Sequence, residues 1–206
     1  MCGGKDWGWW QAWVVSVLIC MAGIMGRILA EKRHPGLLIE RNEALMAGGI
    51  KPWDKVLAPL MTLSISFPLL IVAGLDHRSG WSPVFPIWLN IIGLFLIAGG
   101  YFIIVWAMAE NRFFSSVARI QTDRKHVVCD SGPYKFVRHP GYVGNILPLP
   151  GIVLALGSIW AVIPAVFTTM IILIRTILED DMLKKELPGY QDYTQRVHDR
   201  LFPGIF

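Results

Sequence analysis

The chain has 206 residues, 54% of them apolar and 17% charged, with a formal net charge of +4. That composition excludes a disordered chain and an ordinary soluble domain, and three cysteines (Cys2, Cys20, Cys129) cannot staple a chain this long. The basic residues form no stripe that would grip a nucleic acid, so the reading is one integral membrane domain over residues 1–206.

In chain order, the first apolar stretch is Trp9–Ala30. Its front is rich in Trp rather than basic and no A-x-A site follows, so it reads as a span and not as a cleavable signal. A polar segment, Glu31–Lys55, carries Pro35, Gly36, Gly48 and Gly49. Two more long stretches follow, Val56–Leu75 and Pro86–Ala109, the second holding Gly99-Gly100 as a point of close packing or flexibility. Each of the three approaches the ~20 residues a helix needs to cross hydrocarbon. After the polar segment Glu110–Gly141 come shorter stretches, Tyr142–Leu156 and Trp160–Leu178, joined only by Gly157-Ser158-Ile159. So short a link predicts a tight antiparallel helical hairpin. Pro148 and Pro150 predict a kink in its first arm. In the tail, Pro188-Gly189 breaks the helix, and Tyr190, Tyr193 and Val197 recur at spacings suited to a short amphipathic helix. The expected fold is therefore all-α, with about five transmembrane helices and a short C-terminal helix.

Lys and Arg are distributed unevenly. Residues 27–55, 109–140 and the tail from Arg175 hold 17 of them, and only Lys5 and Arg78 fall on the other side. By the positive-inside rule the N-terminus is expected outside and the C-terminus in the cytoplasm. Trp7, Trp9, Trp10, Trp13, Trp81, Trp88 and Trp160 then fall near the outer interface. The three long polar segments face the cytoplasm, where any chemistry is expected. Plasma membrane or endoplasmic reticulum would both fit.

Three constellations could carry that chemistry. Arg138, His139 and Tyr142 crowd the mouth of the fourth stretch, with Pro140 suited to a first helical position. These residue types also serve as plain interfacial anchors. Arg175 and Glu179, four apart, share a helix face beside Asp180 and Asp181. Ionisable groups at that depth face a cavity or each other, and acids there oppose the helix dipole. The tail helix, with Arg196 and Arg200, is by itself most simply a membrane-surface helix. No Cys/His pair has zinc spacing and no G-x-G-x-x-G follows a strand, so neither a metal nor a soluble dinucleotide fold is expected.

The order Val128-x-x-x-Gly132-Pro-Tyr134-x-x-x-Arg138-His-Pro-Gly-Tyr142-x-Gly144 resembles the signature of the isoprenylcysteine carboxyl methyltransferase-like proteins, to which phospholipid methyltransferases are related. The run Arg175-x-x-x-Glu179-Asp180-x-x-Leu183 and the tail from Leu187-Pro-Gly189-Tyr190 to Pro203 are similar to that family's C-terminal half, and Lys51-Pro-Trp53-Asp54 resembles its prokaryotic-type members. The strong resemblance covers residues 110–206. A departure is Glu179-Asp180, where Glu-Glu is more usual.

The resemblance implies a membrane enzyme using S-adenosylmethionine. It implies that His126, Val127, Val128 and Cys129 give mostly backbone contacts to the cofactor, and that Tyr134, His139, Pro140, Gly141 and Tyr142 line its site. Gly132, Arg138 and Tyr190 are counted with them, and Gln121 matches a family glutamine at a shorter interval. Glu179 would contact the cofactor and Arg175 would face the methyl acceptor. Residues 110–206 would then be the cofactor-binding and catalytic half, and residues 1–109 the acceptor side. The acceptor would be lipophilic, entering from membrane lipid, most simply a prenylcysteine-like carboxylate held bidentately by Arg175. Two other readings stay open: an NADPH-dependent membrane reductase of sterol or lipid type, and a non-catalytic membrane protein that binds a lipid or a partner.

Overall fold

The computed structural model describes residues 6–43 and 48–205; Cys2 and Lys5 lie outside them. No strand occurs among the described residues. The helices are α1 Trp10–Arg33, α2 Leu37–Glu43, α3 Asp54–Ser66, α4 Pro68–Ser79, α5 Ile87–Glu110, α6 Pro140–Ile146, α7 Pro148–Leu156, α8 Val162–Glu186 and α9 Tyr190–Arg196. Short 3-10 turns at Thr122–Arg124 and Gly132–Lys135 shape the long segment between α5 and α6.

Four helical runs are long and apolar enough to cross a membrane: Trp10–Arg33, Asp54–Ser79, Ile87–Glu110 and Val162–Glu186. The stretch expected as a fourth of five spans is shorter, an apolar pair of helices over Pro140–Leu156. Pro148 stands in the first turn of α7, so the expected kink is a break at Leu147. A second break was not anticipated. Phe67, at φ −121° and ψ −49°, separates α3 from α4 because Pro68 opens the next helix and a proline ring disfavours helical backbone in the residue before it. The C-terminal helix is present as α9, entered through Gly189 at φ +81°, a conformation that costs glycine nothing.

The short pair α6–α7 lies against α5 through glycine. A Cβ at Gly93 would strike the backbone of Gly151 and Ala155, and one at Gly144 would come within 2.7 Å of the Gly100 carbonyl. Gly100 itself rests on Pro148, 2.5 Å from where a Cβ would be, whereas Gly99 faces open space. So Gly100 is the close-packing half of the pair. Helices in lipid gain little from burying apolar surface against one another, and close backbone approach supplies attraction in its place. Around this seam Ile97, Leu149 and Ile172 are buried in one core. Large apolar side chains such as Met21, Leu63, Phe95, Phe102, Ile163 and Phe167 point outward, as a lipid-facing surface requires.

One end of the bundle is tied by Asp76. Its carboxylate is buried and accepts the Ser82 amide at 2.8 Å, the Ser82 hydroxyl at 2.6 Å and the Ser158 hydroxyl, so the α4–α5 and α7–α8 links are joined. Trp81 meets Trp160 edge-on there, and Trp9 stacks on His77 at 3.9 Å between ring centres. The other end gathers the C-terminal turns of α1, α5 and α8, the start of α3, the segment 111–139 and α9. His34 of the α1–α2 link reaches the Ala109 carbonyl at 3.0 Å across this end.

Candidate active site

The last turns of α8 organise the polar end. Arg175 is buried, and its fork closes on Asp54, Nε to Oδ1 at 2.7 Å and Nη2 to Oδ2 at 3.0 Å. Nη2 also donates to the Ser116 carbonyl at 2.8 Å, and the guanidinium lies over the Tyr142 ring at 5.6 Å. Asp54 has no exposed surface; it opens α3, where the helix dipole favours a carboxylate, and it also accepts the Ala118 amide. Only Nη1, 3.6 Å from the Met61 sulfur, is left to meet anything else. The Arg175 fork expected to hold an acceptor is thus already closed by the protein's own carboxylate.

Glu179 does not pair with Arg175. Its carboxylate takes the Tyr142 hydroxyl proton donor instead. Asp180, the residue that departs from the resembled pattern, is fully buried and is a hub. Arg138 grips it with Nε at 2.8 Å and Nη2 at 3.1 Å. Tyr190 donates its hydroxyl at 3.0 Å, His139 Nε2 lies at 3.3 Å, Lys184 at 2.8 Å and Arg200 Nε at 2.9 Å. The third arm of Arg138, Nη1, donates to the carbonyls of Val197 and His198 at 2.8 and 2.5 Å. The amides of Arg138 and His139 pair with the carbonyls of Asp199 and Arg200 at 3.0 and 2.9 Å. The guanidinium of Arg138 therefore fastens the C-terminal segment.

These residues border one cavity of about 610 Å³. Its polar part is lined by His126, Val127, Val128, Cys129, Tyr134, Arg138, His139, Gly141, Tyr142, Glu179 and Tyr190, with Arg175 alongside. Gln121, Gly132 and Pro140 are not among the lining residues. Gln121 is fully buried and has both ends of its amide engaged, Nε2 donating to the Phe113 carbonyl at 2.9 Å and Oε1 accepting from Arg124 at 3.0 Å. Gly132 turns at φ +54° beside Glu110, whose side chain would sit 2.8 Å from a Cβ. Pro140 occupies the first turn of α6, as its missing N–H permits.

Electrostatics differ around the rim. His126 packs on Phe113 at 4.4 Å and its Nδ1 faces the Gln121 amide at 3.4 Å. Burial, and then the charges of Arg119, Arg124 and Arg112, pull its imidazole down to about 4, so it is neutral near pH 7. Burial likewise raises the phenols of Tyr134, Tyr190 and Tyr193, which stay protonated; Tyr190 and Tyr193 donate, and the Tyr134 hydroxyl accepts the Asn111 amide at 3.3 Å. The Tyr193 hydroxyl donates a hydrogen bond to the Tyr134 carbonyl at 2.6 Å, fixing α9 under the 3-10 turn.

Several cavity residues were not singled out by sequence as site residues: Asn111, Phe113, Phe114, Met61, Arg27 and Arg41. Asp54 was read only as part of a resembled segment. An acid at the first turn of an apolar span is itself a signal, since it needs a partner at that depth.

The polar half can hold a cation between one carboxylate and several aromatic faces, and the flat rings of Phe113, Phe114 and the tyrosines suit a planar heterocycle. That donor set fits S-adenosylmethionine. The opposite half is apolar and runs among α1, α3 and α5 through Ile19, Ala22, Ile65 and Ile104. No curated protein matches the chain. The family model described as phospholipid methyltransferase matches residues 88–188, from the first turn of α5 to the end of α8. Tyr142, Glu179 and the α5–α8 frame fall inside that match, so residues 88–188 are similar to the phospholipid methyltransferases.

Proposed function

We propose that the protein transfers a methyl group from S-adenosylmethionine to a lipophilic acceptor at the cytoplasmic face of a membrane. The observation that supports this most is the continuity of the cavity, which joins Glu179, Tyr142 and His126–Cys129 to an apolar half among the spans. A water-soluble donor and a lipid-soluble acceptor need such a meeting place. The uneven distribution of Lys and Arg supports the orientation.

When bound, S-adenosylmethionine supplies an electrophilic methyl group. Glu179, steadied by the Tyr142 hydroxyl, would face its cationic part, and the 126–129 backbone, Tyr134, His139 and Tyr190 would enclose the rest. Methyl transfer is an in-line displacement, so the residues contribute alignment and exclusion of water. An acceptor carboxylate, as in a prenylcysteine, needs no general base. Arg175 would meet it with Nη1 alone, because Asp54 holds the fork. An amine acceptor must lose a proton. Glu179 is the one carboxylate among the described residues that lines the cavity, and it would take that proton.

Calorimetric titration of the detergent-purified chain with S-adenosylhomocysteine tests the reading. Saturable binding that is lost in Glu179→Ala and His139→Ala is the expected result. A folded protein that ignores S-adenosylhomocysteine and binds NADPH would overturn it in favour of a reductase.

A further inference from the structure

Two arginines that line the cavity have no acid of their own. Arg27 belongs to α1 and Arg41 to α2, and neither has a carboxylate in ion-pair range among the described residues. The nearby acids are committed elsewhere. Glu31, one turn beyond Arg27, accepts the amides of Gly36 and Leu38 at 2.7 and 3.3 Å. Glu40, beside Arg41, faces Arg119 at 2.9 Å and Arg124 at 3.7 Å. Asp54 is closed on Arg175, and Glu179 receives Tyr142. Arg41 is held in place by weaker contacts, 5.1 Å above the Phe114 ring and 3.4 Å from the Phe114 carbonyl. Burial first, and then the like charges of Arg27 and Arg175 against Glu40 alone, lower the affinity of Arg41 for its proton. Arg41 is half-buried and Arg27 is exposed at the rim, so the cavity offers an entering anion one partly desolvated guanidinium and a second one beside it.

The face of α1 shows what should be attached to that anion. Ile19, Ala22, Gly23, Gly26 and Arg27 all line the cavity, at the spacing of one helical face. That face runs from apolar to small to cationic towards the polar end. Gly26 is pressed against Met108 of α5, 2.9 Å from a Cβ position, while Gly23 faces open space. Met61 and Ile65 of α3 form the opposite wall. A second, almost wholly apolar groove of about 500 Å³ lies between α1 and α5 and shares Ala22 and Tyr101 with the cavity. Hydrocarbon lying along α1 therefore adjoins the outer, lipid-facing side of the bundle.

We infer that Arg27 and Arg41 bind an oxyanion, phosphate or carboxylate, at the head of a lipid whose chain lies along the Ile19–Gly23 face of α1. Guanidinium forks suit both anions because each offers paired oxygens. Both arginines precede residue 88, where the family match begins, so they lie outside the matched segment. The inference rests on the methyltransferase reading only in making this lipid the acceptor, and places its charged head beside the Glu179 end of the cavity.

Photo-crosslinking of the full chain in a neutral maltoside detergent tests it. The probes are diazirine-tailed phosphatidic acid, a diazirine fatty acid and a diazirine monoacylglycerol. At least one anionic probe should label residues 19–26 or 61–65 about tenfold more strongly than the neutral one. Arg27→Gln with Arg41→Gln should fall to the neutral level, Arg27→Lys with Arg41→Lys should keep part of the labelling, and Lys32→Gln should keep all of it. Preference between the anionic probes identifies a phosphate head or a free acid. Equal labelling by the neutral probe, or undiminished labelling of the double Gln protein, overturns the inference. A parallel titration with S-adenosylhomocysteine separates the two claims. Binding in the double Gln protein within about twofold of wild type shows that its cofactor half is intact. Anion-selective labelling in a wild-type chain that fails to bind S-adenosylhomocysteine removes the methyltransferase reading and leaves the anion site standing.

Discussion

Asp54 and Arg175 lie 121 positions apart and close a two-point ion pair, with Nε to Oδ1 at 2.7 Å and Nη2 to Oδ2 at 3.0 Å. The pair joins the start of α3 to the end of α8 and pins the Ser116–Ala118 backbone between them. Removing one member leaves the other charge buried and alone, which costs about 3–5 kcal/mol. Asp54→Asn and Arg175→Gln should each lower the thermal midpoint in detergent by many degrees. The pair Asp54→Leu with Arg175→Met should cost much less than the sum. Additive losses would show that the two residues act independently.

Asp180 is predicted to control the C-terminal segment. Asp180→Asn leaves Arg138, Lys184 and Arg200 without their shared carboxylate and weakens the hold on Tyr190. Limited proteolysis should then cut within residues 187–205 at least tenfold faster than in wild type, an effect of about 1.4 kcal/mol on local opening. Unchanged cutting would mean that α9 is held by the Leu187–Tyr193–Val197 cluster alone.

The Tyr142–Glu179 contact separates site from scaffold. Tyr142→Phe removes one charge-assisted hydrogen bond and little volume. The thermal midpoint should stay within a few degrees, while S-adenosylhomocysteine affinity should fall about tenfold. Calorimetry against Glu179→Gln checks the assignment, since the two effects should not add.

A pH dependence follows from His126. Its imidazole is held to about 4 in the folded chain by burial and then by three neighbouring arginines, against ~6.5 when unfolded. As pH falls, the unfolded chain takes up this proton first. The stabilisation is therefore complete above pH ~6.5 and declines from there to about 4. His126→Phe, which keeps the stack on Phe113, should flatten that part of the melting-temperature profile relative to wild type. Identical slopes between pH 7 and 5 would contradict the shift.

Neighbouring glycines should behave oppositely. A methyl group at Gly100 meets Pro148 at 2.5 Å, and one at Gly99 meets nothing within 4 Å. Gly100→Ala should destabilise by ~1–3 kcal/mol through overpacking, and Gly99→Ala should be neutral or slightly stabilising through helix propensity. Melting curves of the two single variants decide it.

Much of the architecture was legible because hydropathy over long windows survives any packing detail. The first, third and last long helices follow their apolar runs, and Pro148 announced the break before α7. Phe67 escaped notice because the signal lies in Pro68 and the apolar run around it is uninterrupted. The Arg175–Glu179 spacing was correctly a helix face, but local spacing says nothing about a competing carboxylate on another helix, and Asp54 is the better-placed partner. Asp180 looked like a departure from a pattern because its five partners come from four separate segments. The apolar half of the cavity was unreadable for a related reason. Small residues such as Ala22 and Gly23 acquire meaning only when α3 and α5 stand opposite them.

Between Arg175 and Asp180, α8 engages α3, α6 and the C-terminal segment at the same time. Arg175 and Glu179 leave from one face and Asp180 from a side ~140° round the axis from Arg175, so the helix is keyed like a lock barrel. It can neither roll nor slide without releasing all of them together. One residue deleted between Val162 and Ile174 turns everything beyond it by ~100° and withdraws Arg175, Glu179 and Asp180 in a single step. The length of α8 between the Gly157 turn and Arg175 is thus as tightly determined as the identity of any side chain at its end.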